Sequence, residues 1–443
     1  MKVGLYVRLS VMMFLQYAIW GAWMPVLSSY LDGAGFTGLM IGIVYSLLPL
    51  GILLSPITGG QLADRYMPTQ WLLVIANLAG AAILYLASTI DYAAQPWTIF
   101  GLMFAFSVFY GPTLPLTNTL SFRHLSNIEK DFGKIRVWGT IGWIAAGLVL
   151  MAWRQESEPG KAVVEAKTWI DSTWNTIWTP ISHAIGLGMA RVLGPTGPRD
   201  TLLLGAFFSV LMGLFCAALP HTPPKREGVE PLAFVKAFRL LKDHNFLVFM
   251  VISFIVTTEL WFYYVLTGPF LQSAGVGIDP ANVPGWMTTA QIGEIFTMVI
   301  LLPILLPKLG VRLCLVLGVI AWPIRYAVFA VGYPWWLVVG SLPIHGFCYV
   351  FFFVVGQIYS DSIAPKDIRA SVQSLWAVCV LGIGSIIGST LAGWVRDLFT
   401  VDKVVNYRGV FLVPLVVTVL CALAFLVFFR EPEKKQTSPG TAA

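Results

Sequence analysis

Apolar residues along this chain come in long runs separated by short polar breaks. Twelve runs approach the roughly 20 residues that a helix needs to cross a bilayer core. They lie near 6–30, 38–62, 71–90, 97–120, 137–153, 201–219, 246–272, 285–306, 313–331, 335–359, 371–395 and 408–429. Runs of that length predict an all-α membrane protein of twelve transmembrane helices. An even number of spans puts both ends of the chain on one side. The short loops of that side collect Arg65, Arg123, Lys130, Lys134, Lys225, Arg226, Lys236, Arg239, Lys242, Lys308, Arg312, Lys366 and Arg369. The loops between runs 1–2, 3–4, 7–8 and 9–10 hold neither Lys nor Arg. Basic loops stay in the cytoplasm, so both termini are expected there, in a bacterial-type inner membrane.

The polar stretch PHTPPKREGVEP opens a long connection that separates six runs from six. The expected organisation is a six-helix bundle over 1–220, a cytoplasmic linker over 221–245, a second six-helix bundle over 246–430 and a disordered tail over 431–443. An insertion at about 154–200 interrupts the first bundle on the outer face. Its Ile170, Trp174, Ile177, Trp178 and Ile181 fall at helical spacing, which predicts an amphipathic helix at the outer interface. The plain reading is an accessory decoration; the alternative is a lid over the substrate path.

Composition agrees and narrows the class. With 57% hydrophobic and 11% charged residues, the chain has far more apolar surface than a water-soluble fold can bury. The net charge of +6 is scattered over short loops with no continuous stripe to follow phosphates, so it reads as membrane topology and not as nucleic-acid binding. Cys216, Cys314, Cys348, Cys379 and Cys421 sit singly in apolar runs, away from any metal-ligand spacing, and read as packing residues. The first run lacks a signal-peptide cleavage pattern and is expected to be a retained helix. Neither a nucleophile elbow, a phosphate-binding loop, an HExxH motif nor a Gly-rich dinucleotide fingerprint is present, so the sequence supports no enzyme activity and no cofactor.

A charge in the bilayer interior costs at least ~2.5 kcal/mol, so charges that persist there are functional candidates. The deep acids are Glu259 and Glu294; Arg136 opens the fifth run and Arg325 lies in the ninth. Gln291 and Glu294 share one face of the eighth helix, where a carboxylate and an amide suit a vicinal diol. Arg136, Thr140 and Trp143 follow i, i+4, i+7 spacing and make one stripe of cation, hydroxyl and aromatic plane, a cradle for a flat polar ring. Gln16 with Trp20, Trp261 with Tyr264, and His345 with Tyr349 are further one-face pairs. Each has a plainer reading: interface aromatics for Trp20, Trp23 and Tyr264, an interhelical bond for Glu259, a packing histidine for His345.

Several segments, taken in order, carry a family resemblance. GGQLADR (59–65) is similar to the loop signature of the major facilitator superfamily. FLQYAIWGAW (14–23), PTLPLTNTLS (112–121), IRVWGTIGW (135–143), AQIGE (290–294), IAWPIRYAVFA (320–330) and IRASVQ (368–373) together resemble the bacterial nucleoside:proton symporters. The resemblance covers nearly the whole chain except 154–200 and the tail. It implies the major facilitator fold and a central nucleoside site formed by Arg136, Thr140 and Trp143, by Gln291 and Glu294, and by Tyr349. The chain departs from the family pattern at Trp261 and Tyr264, where polar amides are replaced by aromatics, and at Val350, which stands in place of an acidic residue.

The expectation is therefore a monomeric carrier of nucleosides or closely related glycosides, working by alternating access and driven by protons. Arg136, Thr140, Trp143, Trp261, Tyr264, Gln291, Glu294, Tyr349 and Gln16 would bind substrate. Glu294 or Glu259, with His345 as relay, would carry the proton, and Asp64 with Arg65 would form a cytoplasmic latch. The alternatives are a mono- or oligosaccharide carrier, favoured by the aromatic substitutions, and a non-transporting solute sensor.

Overall fold

The computed structural model describes residues 3–55, 58–59, 61–157, 169–197, 199–224, 233–364 and 369–430. Among these residues each apolar run forms a helix. Spans 1 to 5 are Val3–Gly33, Gly38–Ser55, Thr69–Thr89, Thr98–His124 and Asp131–Glu156, followed by the shorter sixth span Asp200–Cys216 and the seventh, His244–Gln272. The stretch Val283–Val331 is two spans, 283–309 and 311–331, because Gly310 takes φ 74° and ψ 175° between them. A positive φ there is open to glycine at little cost. Spans 10 to 12 are Trp335–Ile363, Ser371–Leu398 and Tyr407–Phe428.

Local chemistry sets the helix ends. Asp243 accepts the N–H of Phe246 (2.8 Å) at the start of span 7, and Asn406 accepts that of Gly409 (3.1 Å) at the start of span 12. Gly332, at φ 72°, closes span 9 in the left-handed conformation. Span 5 differs from its expected limits: its helix begins at Ile128 rather than near 137. Asp131 and Lys134, paired at 3.4 Å, do not break a helix; they carry it past the apolar core toward water.

In the first bundle span 1 packs on spans 5 and 6, span 3 on 4 and 6, and span 2 on 4. In the second, span 7 packs on 11 and 12, span 9 on 10 and 12, and span 8 on 10. The bundles meet along two seams, span 2 against span 11 and span 5 against span 8. Small residues bring the backbones together: a side chain at Gly42 would start 2.3 Å from the Ser389 carbonyl oxygen, and one at Gly147 would start 2.6 Å from Thr288 Cγ2.

The insertion contains the helix Trp169–Leu193, packed on span 5. The side chains of Ile170, Trp174 and Ile177 lie outside the described residues; Trp178 is half-buried and Ile181 exposed. Of the linker, Ala233–Lys242 is a tight helical segment against the start of span 11, while 225–232 and the tail 431–443 lie outside the described residues.

Candidate functional site

Spans 1, 2, 4 and 5 of the first bundle and spans 7, 8, 10 and 11 of the second surround a cavity of about 480 Å³. Helical periodicity explains who faces it. Arg136, Thr140 and Trp143 all line it from span 5, and Gln291 with Glu294 from span 8. Trp261 and Tyr264 of span 7 and Tyr349 of span 10 complete the second bundle's share of the expected residues. Thr140, Gln291 and Glu294 are buried, whereas Gln357 and Ser374 on the same wall are exposed. These two stand toward the end of span 10 and the start of span 11, on the side of the termini, and that is where the cavity opens.

The walls combine charge with aromatic surface. The Arg136 guanidinium lies 4.0 Å above the Tyr17 ring and shares the cavity wall with Glu294 and Tyr349 of the other bundle. A line of rings crosses from one bundle to the other: Trp20 to Trp143 (5.3 Å between centroids), Trp143 to Tyr264 (6.4 Å), Tyr264 to Trp261 (5.7 Å). The indole N–H groups of Trp20 and Trp261 and the Oε1 of Gln291 are buried with no hydrogen-bond partner among the described residues. Buried polar atoms in that state suit a polar solute or ordered water.

The opposite side is shut by contacts between the bundles. Arg396 of span 11 pairs with Asp32 at the end of span 1, and Asp397 accepts the backbone N–H groups of Gly38 (2.6 Å) and Leu39 (2.7 Å). Gln272 donates to Ser29 Oγ (2.7 Å). In the last turn of span 5, Arg154 forms a bidentate pair with Asp200 (2.7 Å for each bond) and donates to the Pro280 carbonyl (3.2 Å).

Three expected residues lie elsewhere. Gln16 does not line the cavity: its Nε2 donates to Thr113 Oγ1 (2.7 Å), and its backbone carbonyl accepts the Tyr110 hydroxyl (2.5 Å). Glu259 points into the second bundle, with Thr258 Oγ1 at 3.2 Å from its Oε1 and the Tyr326 hydroxyl on its backbone carbonyl. His345 is fully buried, with Arg325 Nη1 3.0 Å from its Nδ1 and the Tyr263 ring stacked 4.9 Å away. Val350 is fully buried as well. Arg65 is exposed at the end of the short helix Gln61–Arg65 between spans 2 and 3, and the Asp64 side chain lies outside the described residues. Sequence reasoning missed Tyr17, Asn118 and Gln357 on the wall. The available signal for Tyr17 was its i, i+3 spacing from Trp20.

The profile of the family described as "Nucleoside H+ symporter" matches residues 1–173 and 191–434. The chain belongs to this family. YegT of Escherichia coli strain K12, described as a candidate nucleoside transporter, is 34% identical, over 97% of this chain and 95% of its own. The xanthosine permease of the same organism is 26% identical over 98% of both chains. The crystal structure of the nucleoside transporter NupG superposes with a TM-score of 0.77 at 26% identity, covering 97% of this chain and 100% of that one. The fold of this symporter is accordingly that of the major facilitator superfamily, with two six-helix bundles.

Proposed function

We propose that this symporter carries nucleosides across a bacterial inner membrane together with protons, by alternating access, as a monomer with both termini in the cytoplasm. The observation that carries the reading is a single cavity to which one bundle contributes Arg136 and Thr140 and the other Gln291 and Glu294. It opens on the terminal side and is shut on the other, so with cytoplasmic termini the conformation is inward-facing. Family membership and the likeness to nucleoside transporters support the solute class.

In this reading Glu294 and Gln291 take the ribose hydroxyls, because a carboxylate accepts two hydrogen bonds from a diol and an amide both donates and accepts. Arg136 and Thr140 donate to the carbonyl edge of the base, and Trp143, Trp261, Tyr264 and Tyr349 stack on ring faces. Each bond to a charged group in a water-poor site adds about 1.5–3 kcal/mol. Glu294 carries the coupled proton: among the described residues it is the carboxylate on the cavity wall. His345 Nδ1 is already engaged by Arg325, and Glu259 is walled off behind span 7.

Uptake of labelled nucleosides into proteoliposomes, with and without an inward proton gradient, tests this. Accumulation driven by the gradient supports the reading; uptake that ignores the gradient leaves a uniporter, and none leaves a binding protein. A second reading, a sugar carrier, draws on the aromatic wall of Trp20, Trp143, Trp261 and Tyr264. It requires free sugars to compete with labelled nucleoside.

A further inference from the structure

The helix Trp169–Leu193 crosses the one internal stretch, 174–190, that the family profile leaves unmatched. Its contacts fall on the last turn of span 5, where the two bundles meet on the closed side. The Trp178 indole N–H donates to Gln155 Oε1 (3.0 Å), and Gln155 Nε2 donates to Asn282 Oδ1 (2.7 Å) in the segment before span 8. An indole nitrogen can only donate, so Trp178 takes the oxygen of the Gln155 amide and leaves the NH₂ to face the other bundle. The inserted helix is also held C-terminal to that point. His183 Nδ1 lies 2.7 Å from Glu156 Oε2, the Trp153 indole donates to the Gly194 carbonyl (3.0 Å), and a side chain at Gly186 would start 2.5 Å from the Ala152 carbonyl oxygen.

We propose that the inserted helix is a strap on the closed side of the carrier, in which Trp178 positions Gln155 to hold Asn282 and so weights the alternation toward the conformation described here. Gln155 is the bridging residue and Trp178 its positioning residue; neither lines the substrate cavity. The strap rests on alternating access but not on the identity of the solute.

The test reads the closed-side gap without substrate. Ser29 and Gln272, bonded across the bundles at 2.7 Å, are replaced by cysteines and bridged with a short bifunctional thiol reagent, single-cysteine variants serving as controls. Trp178→Phe keeps the ring and removes the N–H. It is expected to lower the closed-to-open ratio roughly three- to fivefold, the effect of one hydrogen bond. Asn282→Ala should do the same, and Trp178→Phe with Asn282→Ala should do no more than Asn282→Ala alone. Arg396→Gln, on the opposite seam, calibrates the readout. A shift with Arg396→Gln and none with Trp178→Phe overturns the strap alone. Additive effects of Trp178→Phe and Asn282→Ala overturn it too, because Trp178 would then act elsewhere. No shift in any variant overturns alternation at this gap, and the strap with it.

Discussion

Gly139 lies under Arg136: a side chain there would start 2.7 Å from Arg136 Nη1 and 2.7 Å from Cδ2 of Tyr17. The absence of a side chain at 139 is what lets the guanidinium settle 4.0 Å above the Tyr17 ring and aim along the cavity. Alanine favours the helix over glycine by about 1 kcal/mol, but its Cβ would also press on the Tyr17 ring, so the two effects on stability oppose each other and the net change should stay small. Because it displaces Arg136, it should weaken nucleoside binding roughly tenfold, or about 1.4 kcal/mol. Calorimetric titration together with a thermal-shift assay separates the two effects.

Glu294→Gln keeps the size and hydrogen-bonding reach of the side chain and removes its titratable proton. Uptake with and without an inward proton gradient should become equal, while nucleoside binding persists in weakened form. Flux measured in proteoliposomes at two external pH values checks this. A variant that still accumulates nucleoside against its gradient removes Glu294 from the coupling step.

Gly393→Val addresses the seam between spans 2 and 11, where a side chain would start 2.0 Å from the Gly38 carbonyl oxygen. Backbone on both sides leaves nowhere for it to go, and overpacking of this kind costs about 1–3 kcal/mol. The side away from the termini should then fail to close. Net uptake should fall at least roughly tenfold, as a population shift of that size implies, with binding retained. Paired uptake and binding assays on the same preparation decide it.

Gln16→Leu should behave as a packing change. It deletes the bond to Thr113 at 2.7 Å, worth about 0.6–1.7 kcal/mol inside a membrane protein. The melting temperature should drop while the apparent KM for nucleoside stays unchanged. A large rise in KM without a change in melting temperature would instead return Gln16 to the binding surface.

The sequence made the spans legible because lipid demands long apolar helices, and it made one stripe of the site legible because 3.6-residue periodicity aligned Arg136, Thr140 and Trp143. The same rule explains Glu259 in retrospect: it precedes Trp261 by two residues, about 200° around the helix, and so faces away. His345 and Tyr349 do share a face, their rings stacked 5.9 Å apart, but His345 lies behind Tyr349 and Tyr264, which reach the cavity while it does not; spacing finds the pair and not the depth of each member. Gln16 shows a further limit, since periodicity fixes a face but not which neighbour a polar side chain will choose. The long helix 283–331 carried its division at Gly310, which hydropathy placed correctly as a break between two runs.

Arg136 and Glu294 belong to different halves of the molecule, and this bears on the order of steps. When the carboxylate is ionised, drawing it away from a fixed cation in a medium that screens poorly is uphill. A proton on the carboxylate lifts that restraint, and its departure restores it. The passenger proton thus also sets how firmly the two halves hold each other across the solute, loosening the grip on arrival and tightening it once it has left.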